Sequence, residues 1–117
     1  MSSSDAEKKI VEEMSSAEAQ RQPVLMFFHA QWCGACQHTK QNLMENIRKL
    51  SAANGVKVIE ADVDEAPKMS NAVKVKAMPT FQMWKPDSAG NLSLDEKKDV
   101  VVGADAAAVE KLVTKAK

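Results

Sequence analysis

Excess charge of either sign is missing from this sequence. Sixteen Lys and Arg stand against sixteen Asp and Glu, so nothing in the balance points to nucleic acid or an anionic membrane as partner. Long apolar runs are missing as well. No stretch is long enough to span a bilayer, and the start, Met1-Ser-Ser-Ser-Asp-Ala-Glu-Lys-Lys, lacks the apolar segment of a secretory signal. The expectation is a cytoplasmic protein with no membrane partner. Internal repeats and low-complexity tracts are absent, and cysteine is scarce, with two residues in 117. A chain of this length buries one core without needing disulfide staples, so a single domain over 1–117 is expected, monomeric, with residues 1–4 as a flexible N-terminus. In a reducing compartment, two lone cysteines are more often reactive or metal-binding than structural.

What is present alternates between helical and extended patterns. Ser4 to Glu7 fits a capping box, and Ile10, Val11, Met14 and Ala17 follow at helical spacing, predicting a helix over about Asp5 to Gln20. Pro23 closes it. Val24 to Phe28 is a continuous apolar run suited to a strand buried on both faces, which implies a parallel sheet. Leu43, Met44, Ile47 and Leu50 share one face of a second helix, from about Gly34 to Ala53, with Asn54-Gly55 as its stop. Val56 to Val63 reads as the next strand, giving a βαβ unit. Further on come a short helix at Ala66 to Val73, strands at Thr80 to Trp84 and Asp99 to Val102, and a closing helix at Ala104 to Lys115. Leu92 to Lys98 reads as either loop or strand extension. The fold class is α/β: a three-layer α/β/α sandwich around a central mixed sheet of about four strands.

Within this frame the two cysteines acquire a role. Cys33 and Cys36 stand three apart at the carboxyl end of the first strand and the start of the second helix, where open α/β sheets place their chemistry. Attack on a disulfide needs a thiolate, and a free cysteine near pKa ~8.5 supplies little at neutral pH. Unpaired N–H groups of a helix's first turn favour the anion. Cys33 is therefore the candidate nucleophile. Cys36, one turn on, can attack the mixed disulfide formed at Cys33 and close an intramolecular bond. Gly34 adds no side chain to hinder an approaching disulfide, and Trp32 offers an apolar flank.

Trp32-Cys-Gly-Ala-Cys36, the strand before it, Met78-Pro79-Thr80, and Gly103 ahead of a terminal helix together resemble thioredoxins, in order and at fitting separations from Pro23 onward. The resemblance implies the thioredoxin-like fold and a thiol-disulfide oxidoreductase that needs no cofactor. Its partners are then protein disulfide substrates and an upstream thiol-disulfide reductase. It further implies that Pro79 is the family's cis-proline facing the dithiol, and that Met78 offers backbone hydrogen bonds to a substrate strand. Trp32, Gly34, Ala35, Met78, Pro79 and Gly103 then border the docking surface.

The departures from that family are specific. Ala35 stands where the best-known motif has proline, which leaves the reduction potential open. Phe27 stands where thioredoxins usually keep a buried Asp that helps proton transfer at the resolving cysteine. Glu60 matches the basic partner of that Asp, and His29 replaces an aromatic residue; both are candidates for moving the proton. Each also has a plainer reading, Glu60 as a solvated strand residue and His29 as a backbone-bonded rim histidine. The N-terminal helix stands where many thioredoxins begin with an edge strand. Two other functions remain open. One is metal binding by the two thiolates with His29 or His38, although a closed zinc site wants four ligands and no second CxxC or His pair is present. The other is an interaction module that uses the fold with little redox activity. No metal is expected at the site.

Overall fold

Strand β1, Val24–His29, is the axis of the molecule, and all six of its residues are buried. Its side chains alternate between two cores, as a pleated strand requires. Val24, Met26 and Phe28 meet Ile10 and Ala17 of helix α1 (Ser3–Ala19), together with Ile59 and Ala61 of strand β2 (Lys57–Asp62). Leu25 and Phe27 face the opposite way. They join Met44 and Ile47 of α3 (Met44–Ala53), Phe81 and Met83 of β3 (Thr80–Pro86), and Val109, Leu112 and Val113 of α4 (Ala106–Thr114). Helices on both faces of a sheet are the expected three layers. The computed structural model describes residues 3–67, 71 and 77–116. Expectations about Met1 and Ser2, and most of the short helix read at Ala66 to Val73, lie outside those residues.

Among the described residues the sheet has five strands in the order β2-β1-β3-β4, where β4 is Leu92–Leu94, with β5 (Val100–Val102) pairing on β3. Strands β1 and β2 are parallel, from Val24↔Lys57 to His29↔Asp62, as the crossover through α2 (Gly34–Asn42) and α3 demands. Strand β3 runs antiparallel to β1, from Val24↔Trp84 to Phe28↔Thr80. Strands β4 (Leu92–Leu94) and β5 occupy successive stretches of its other edge. The parallel sheet read from the apolar run of β1 thus holds only for the β1–β2 pair. Such a run reports that helices cover both faces, and strand direction is set by the connections. The open reading of Leu92 to Lys98 divides in two. Leu92–Leu94 is strand, and Asp95 then turns the chain by accepting the Lys97 and Lys98 N–H groups at 3.0 and 3.2 Å.

The single helix expected over Gly34 to Ala53 is two, α2 (Gly34–Asn42) and α3, meeting at Leu43 with φ −115°. Side chains compete for the carbonyls of α2. Thr39 Oγ1 donates to Ala35 O at 2.8 Å, and Asn42 Nδ2 donates to His38 O at 3.0 Å. Back-bonding of this kind bends helices. The bend leaves α2 free to aim its N-terminus at the end of β1 while α3 anchors in the core. Helix α1 packs on the β1–β2 face through Ile10 and Ala17, and β2 forms the sheet edge.

Candidate active site

Three residues, Ala30 to Trp32, carry the chain from β1 into α2. Cys33 is the N-cap, with extended backbone angles of −91° and 108°, and its Sγ accepts the Cys36 N–H at 3.1 Å. That hydrogen bond strengthens as the sulfur becomes anionic, which is how a helix start serves a nucleophile. Both cysteines are free thiols. Cys33 retains 8% exposure and Cys36 none, so an incoming disulfide meets Cys33 first. Gly34 and Ala35 are exposed, and beyond its chain neighbours and its own helix backbone nothing described lies within 4 Å of where a side chain on Gly34 would begin. The approach to Cys33 is open.

Burial pushes the Cys36 thiol up to about 11, helped by its hydrogen bond to Cys33 and by the charge there. The Ala30 backbone and Lys40 act in the opposite direction. The sign for stability follows directly. Between pH 9 and 11 the native state keeps a proton that the unfolded chain has released, so the reduced protein loses stability as pH rises through that window. At roughly 1.4 kcal/mol per unit, the shift from 9.0 to about 11 corresponds to a loss of about 2 to 3 kcal/mol. Urea unfolding of the reduced protein at both ends of the window should show this loss beyond that of a Cys36→Ser variant. Equal losses would contradict the assignment.

The far wall of the site comes from distant sequence. Met78 packs against the cluster of Ala30, Cys33 and Cys36, together with Val63. The Met78–Pro79 peptide bond is cis, and the Pro79 carbonyl accepts the Gly103 N–H at 2.8 Å. Gly103 has φ +101°, a conformation that strains any residue with a side chain. Trp32 is 69% exposed, and Val102, beside Gly103, is 60% exposed. Trp32 Nε1 donates to Asp64 Oδ2 at 3.0 Å, and Asp64 N–H in turn donates to the Asp62 carboxylate at 2.9 Å. Asp64 carries no signal in the sequence, because it joins the site only when β2 pairs with β1.

Behind the dithiol, the Phe27 ring stacks between His29, at 5.1 Å, and Phe81, at 4.9 Å. Phe27 is fully buried, so the position that holds an acid in thioredoxins is apolar core here. His29 is also buried, and its Nε2 lies 3.9 Å from Glu60 Oε1. Burial, and then Lys40, pull the His29 pKa below 6.5, against the pull of Asp62 and Glu65. Glu60, the register partner of Phe27, is held by the Arg48 guanidinium. Its ion pair therefore runs to Arg48, and His29 joins it as a charge partner only when the imidazole is protonated. His38 is an exposed helix residue whose Nδ1 meets the Asn42 amide at 3.1 Å. Lys40 escaped notice in the sequence, although its place four residues after Cys36 puts it one turn along the same helix face. Among the described residues no group of three or more His, Cys, Asp or Glu side chains could hold a metal ion. Among the same residues no helix is long and apolar enough to cross a membrane.

The family model for thioredoxin matches residues 6–114. A thioredoxin of Coprinus comatus is 35% identical over 92 residues, covering 79% of this chain and 78% of that protein. Among solved structures, oxidised mitochondrial thioredoxin 3 of Saccharomyces cerevisiae superimposes with a TM-score of 0.67 at 31% identity. The match covers 89% of this chain and 88% of that one. A thioredoxin of Nicotiana alata gives 0.73 at 27% identity over 94% and 86%.

Proposed function

We propose that this chain, which belongs to the thioredoxin family, works its thiol-disulfide oxidoreductase chemistry in the reducing direction, on protein disulfides. The observation that carries this reading is the inequality of the two sulfurs. Cys33 caps a helix and is reachable, whereas Cys36 is enclosed and held protonated.

The Cys33 thiolate attacks one sulfur of the substrate disulfide. That S–S bond breaks, a Cys33–substrate disulfide forms, and the first substrate thiolate leaves. Cys36 then gives up its proton and attacks Cys33 Sγ, expelling the second substrate thiolate. Two electrons pass to the substrate, and the protein is left with a Cys33–Cys36 disulfide for an upstream reductase to reopen. Trp32, Gly34, Ala35, Met78, Pro79 and Gly103 form the docking surface, and the exposed Val102 extends it. An extended substrate segment laid across it takes backbone hydrogen bonds at Met78. The protein acts as a monomer in electron transport to protein disulfides. The cycle needs a compartment that keeps the dithiol reduced. The cytoplasm meets that need, and so does the mitochondrion named for the yeast neighbour.

Insulin-disulfide reduction with dithiothreitol tests the activity. The protein should accelerate insulin precipitation at micromolar concentration, and a rate equal to the protein-free blank would overturn the reading. A glutathione-buffer titration tests the direction. A midpoint on the reducing side of about −200 mV is expected, whereas one near ~−120 mV would reassign the protein to disulfide formation.

A further inference from the structure

Strand β2 ends the sheet, and among the described residues β1 is its one partner in the ladder. Both of its faces are covered. Ile59 and Ala61 pack in the core beneath α1, Val58 lies against the opposite core, and Arg48 of α3 reaches Glu60. The outer backbone stays open. Two hydrogen bonds at the ends of the pairing, Lys57 N–H to Pro23 O and Val63 N–H to His29 O, both 2.9 Å, fix which residues serve β1. Successive residues of a strand turn their N–H and C=O groups to opposite sides. Ile59 and Ala61 therefore face β1 with Lys57 and Val63, and Val58, Glu60 and Asp62 face away. The Asp62 carbonyl accepts the N–H groups of Glu65 and Ala66 at 3.0 and 2.9 Å. Among the described residues nothing pairs with the backbone groups of Val58 and Glu60 or with the Asp62 N–H. A row of free donors and acceptors along a covered strand is a template for one more strand.

Charge decides what fits that template. Asp62, Asp64 and Glu65 follow one another at the end of β2, and among the described residues no Lys or Arg forms an ion pair with them. Antiparallel pairing of two copies through all the outward residues would set Glu60 directly opposite Glu60, and like charges so placed are destabilising. A basic segment of another protein carries no such penalty. The same end of β2 adjoins the dithiol, because Asp62 is the register partner of His29 and Asp64 holds the Trp32 indole. A strand laid on β2 therefore ends beside Trp32, on the docking surface. We propose that β2 binds an extended segment of the protein substrate as an added strand, with Lys or Arg at the end beside Asp62 and Asp64. The segment anchors the substrate while its disulfide meets Cys33. This role for β2 rests on the action on protein disulfides proposed above.

The probe is the acetylated and amidated hexapeptide Thr-Arg-Val-Arg-Val-Thr, and amide hydrogen exchange of the reduced protein is followed by nuclear magnetic resonance. Without peptide, the Val58 and Glu60 amides should exchange faster than those of Ile59 and Ala61. With peptide at about ten times its Kd, the two outward amides should slow ~10-fold. A copy N-methylated at every residue keeps the charge and cannot join a ladder, and a copy with Glu for Arg can join but carries the wrong charge. Neither should protect the outward amides. Absence of protection by the basic peptide at millimolar concentration, or equal protection by either copy, overturns the proposal. Val58→Pro removes an outward donor, which an edge strand tolerates. Its Ile59 and Ala61 amides should stay slow, and the peptide should no longer protect Glu60; retained protection overturns the proposal. If Val58→Pro fails to fold, the three peptides on the original protein decide alone. Appended to a disulfide-bonded peptide, the basic segment should lower KM ~10-fold relative to the Glu version with kcat little changed. Equal KM values overturn the anchoring of substrate. Protection of the outward amides without turnover of either peptide would instead overturn the reducing activity on which the anchoring rests.

Discussion

A Cys36→Ser variant should consume one disulfide and stop. The attack by Cys33 draws on the backbone N–H of residue 36, which serine retains, so the first half of the cycle survives. The second half does not, because a serine hydroxyl does not displace a thiolate at neutral pH. A stable mixed disulfide should accumulate at one per chain, visible by mass spectrometry and reversed by dithiothreitol. A Cys33→Ser variant should form no such adduct, because the sulfur that remains has no exposed surface. Turnover on insulin should fall by a factor on the order of 10³ or more in both variants, since each removes a partner in covalent catalysis. Continued turnover by Cys36→Ser, or a trapped adduct on Cys33→Ser, would reverse the assignment of nucleophile and resolving thiol.

Restoring the family's acid at position 27 should unfold the protein instead of improving it. Phe27 has no exposed surface, and its ring is the middle of a three-ring stack with His29 and Phe81. Removing a buried phenyl ring costs about 3–5 kcal/mol. An added carboxylate is either desolvated while charged or driven to its neutral form, at a further cost of several kcal/mol. The sum approaches the whole stability of an ordinary domain, about 5–15 kcal/mol. Phe27→Asp should therefore be insoluble or melt at least ~20 °C lower by circular dichroism. Phe27→Leu, which keeps the position apolar, should retain the fold. A Phe27→Asp protein melting within a few degrees of the original would mean that the stack contributes little and that the position tolerates its acid.

Both effects trace to features of unequal visibility in the sequence. The dithiol was legible because its chemistry is local. Two cysteines one turn apart, after a strand and at a helix start, fix which sulfur caps the helix whatever the rest of the chain does. The apolar run of β1 was equally plain, since six consecutive buried positions allow few alternatives. Strand direction was less accessible, because the same run serves a parallel neighbour on one side and an antiparallel one on the other. The break at Leu43 depends on which carbonyls Thr39 and Asn42 capture, a competition with no signature in hydrophobic spacing. Asp64 and Arg48 reach their partners Trp32 and Glu60 only through tertiary pairing. Lys40 was within reach of a helical-wheel argument, and its importance emerges only beside His29.

The central place of β1 bears finally on how the molecule fluctuates. Edge elements such as the three-residue β4 open first, and a central strand covered on both faces opens only with the whole domain. The dithiol is hung from the end of that strand. The amides of that strand should thus be among the last to exchange with solvent, and the spacing between the two sulfurs is renewed at every encounter without a fresh search of conformations.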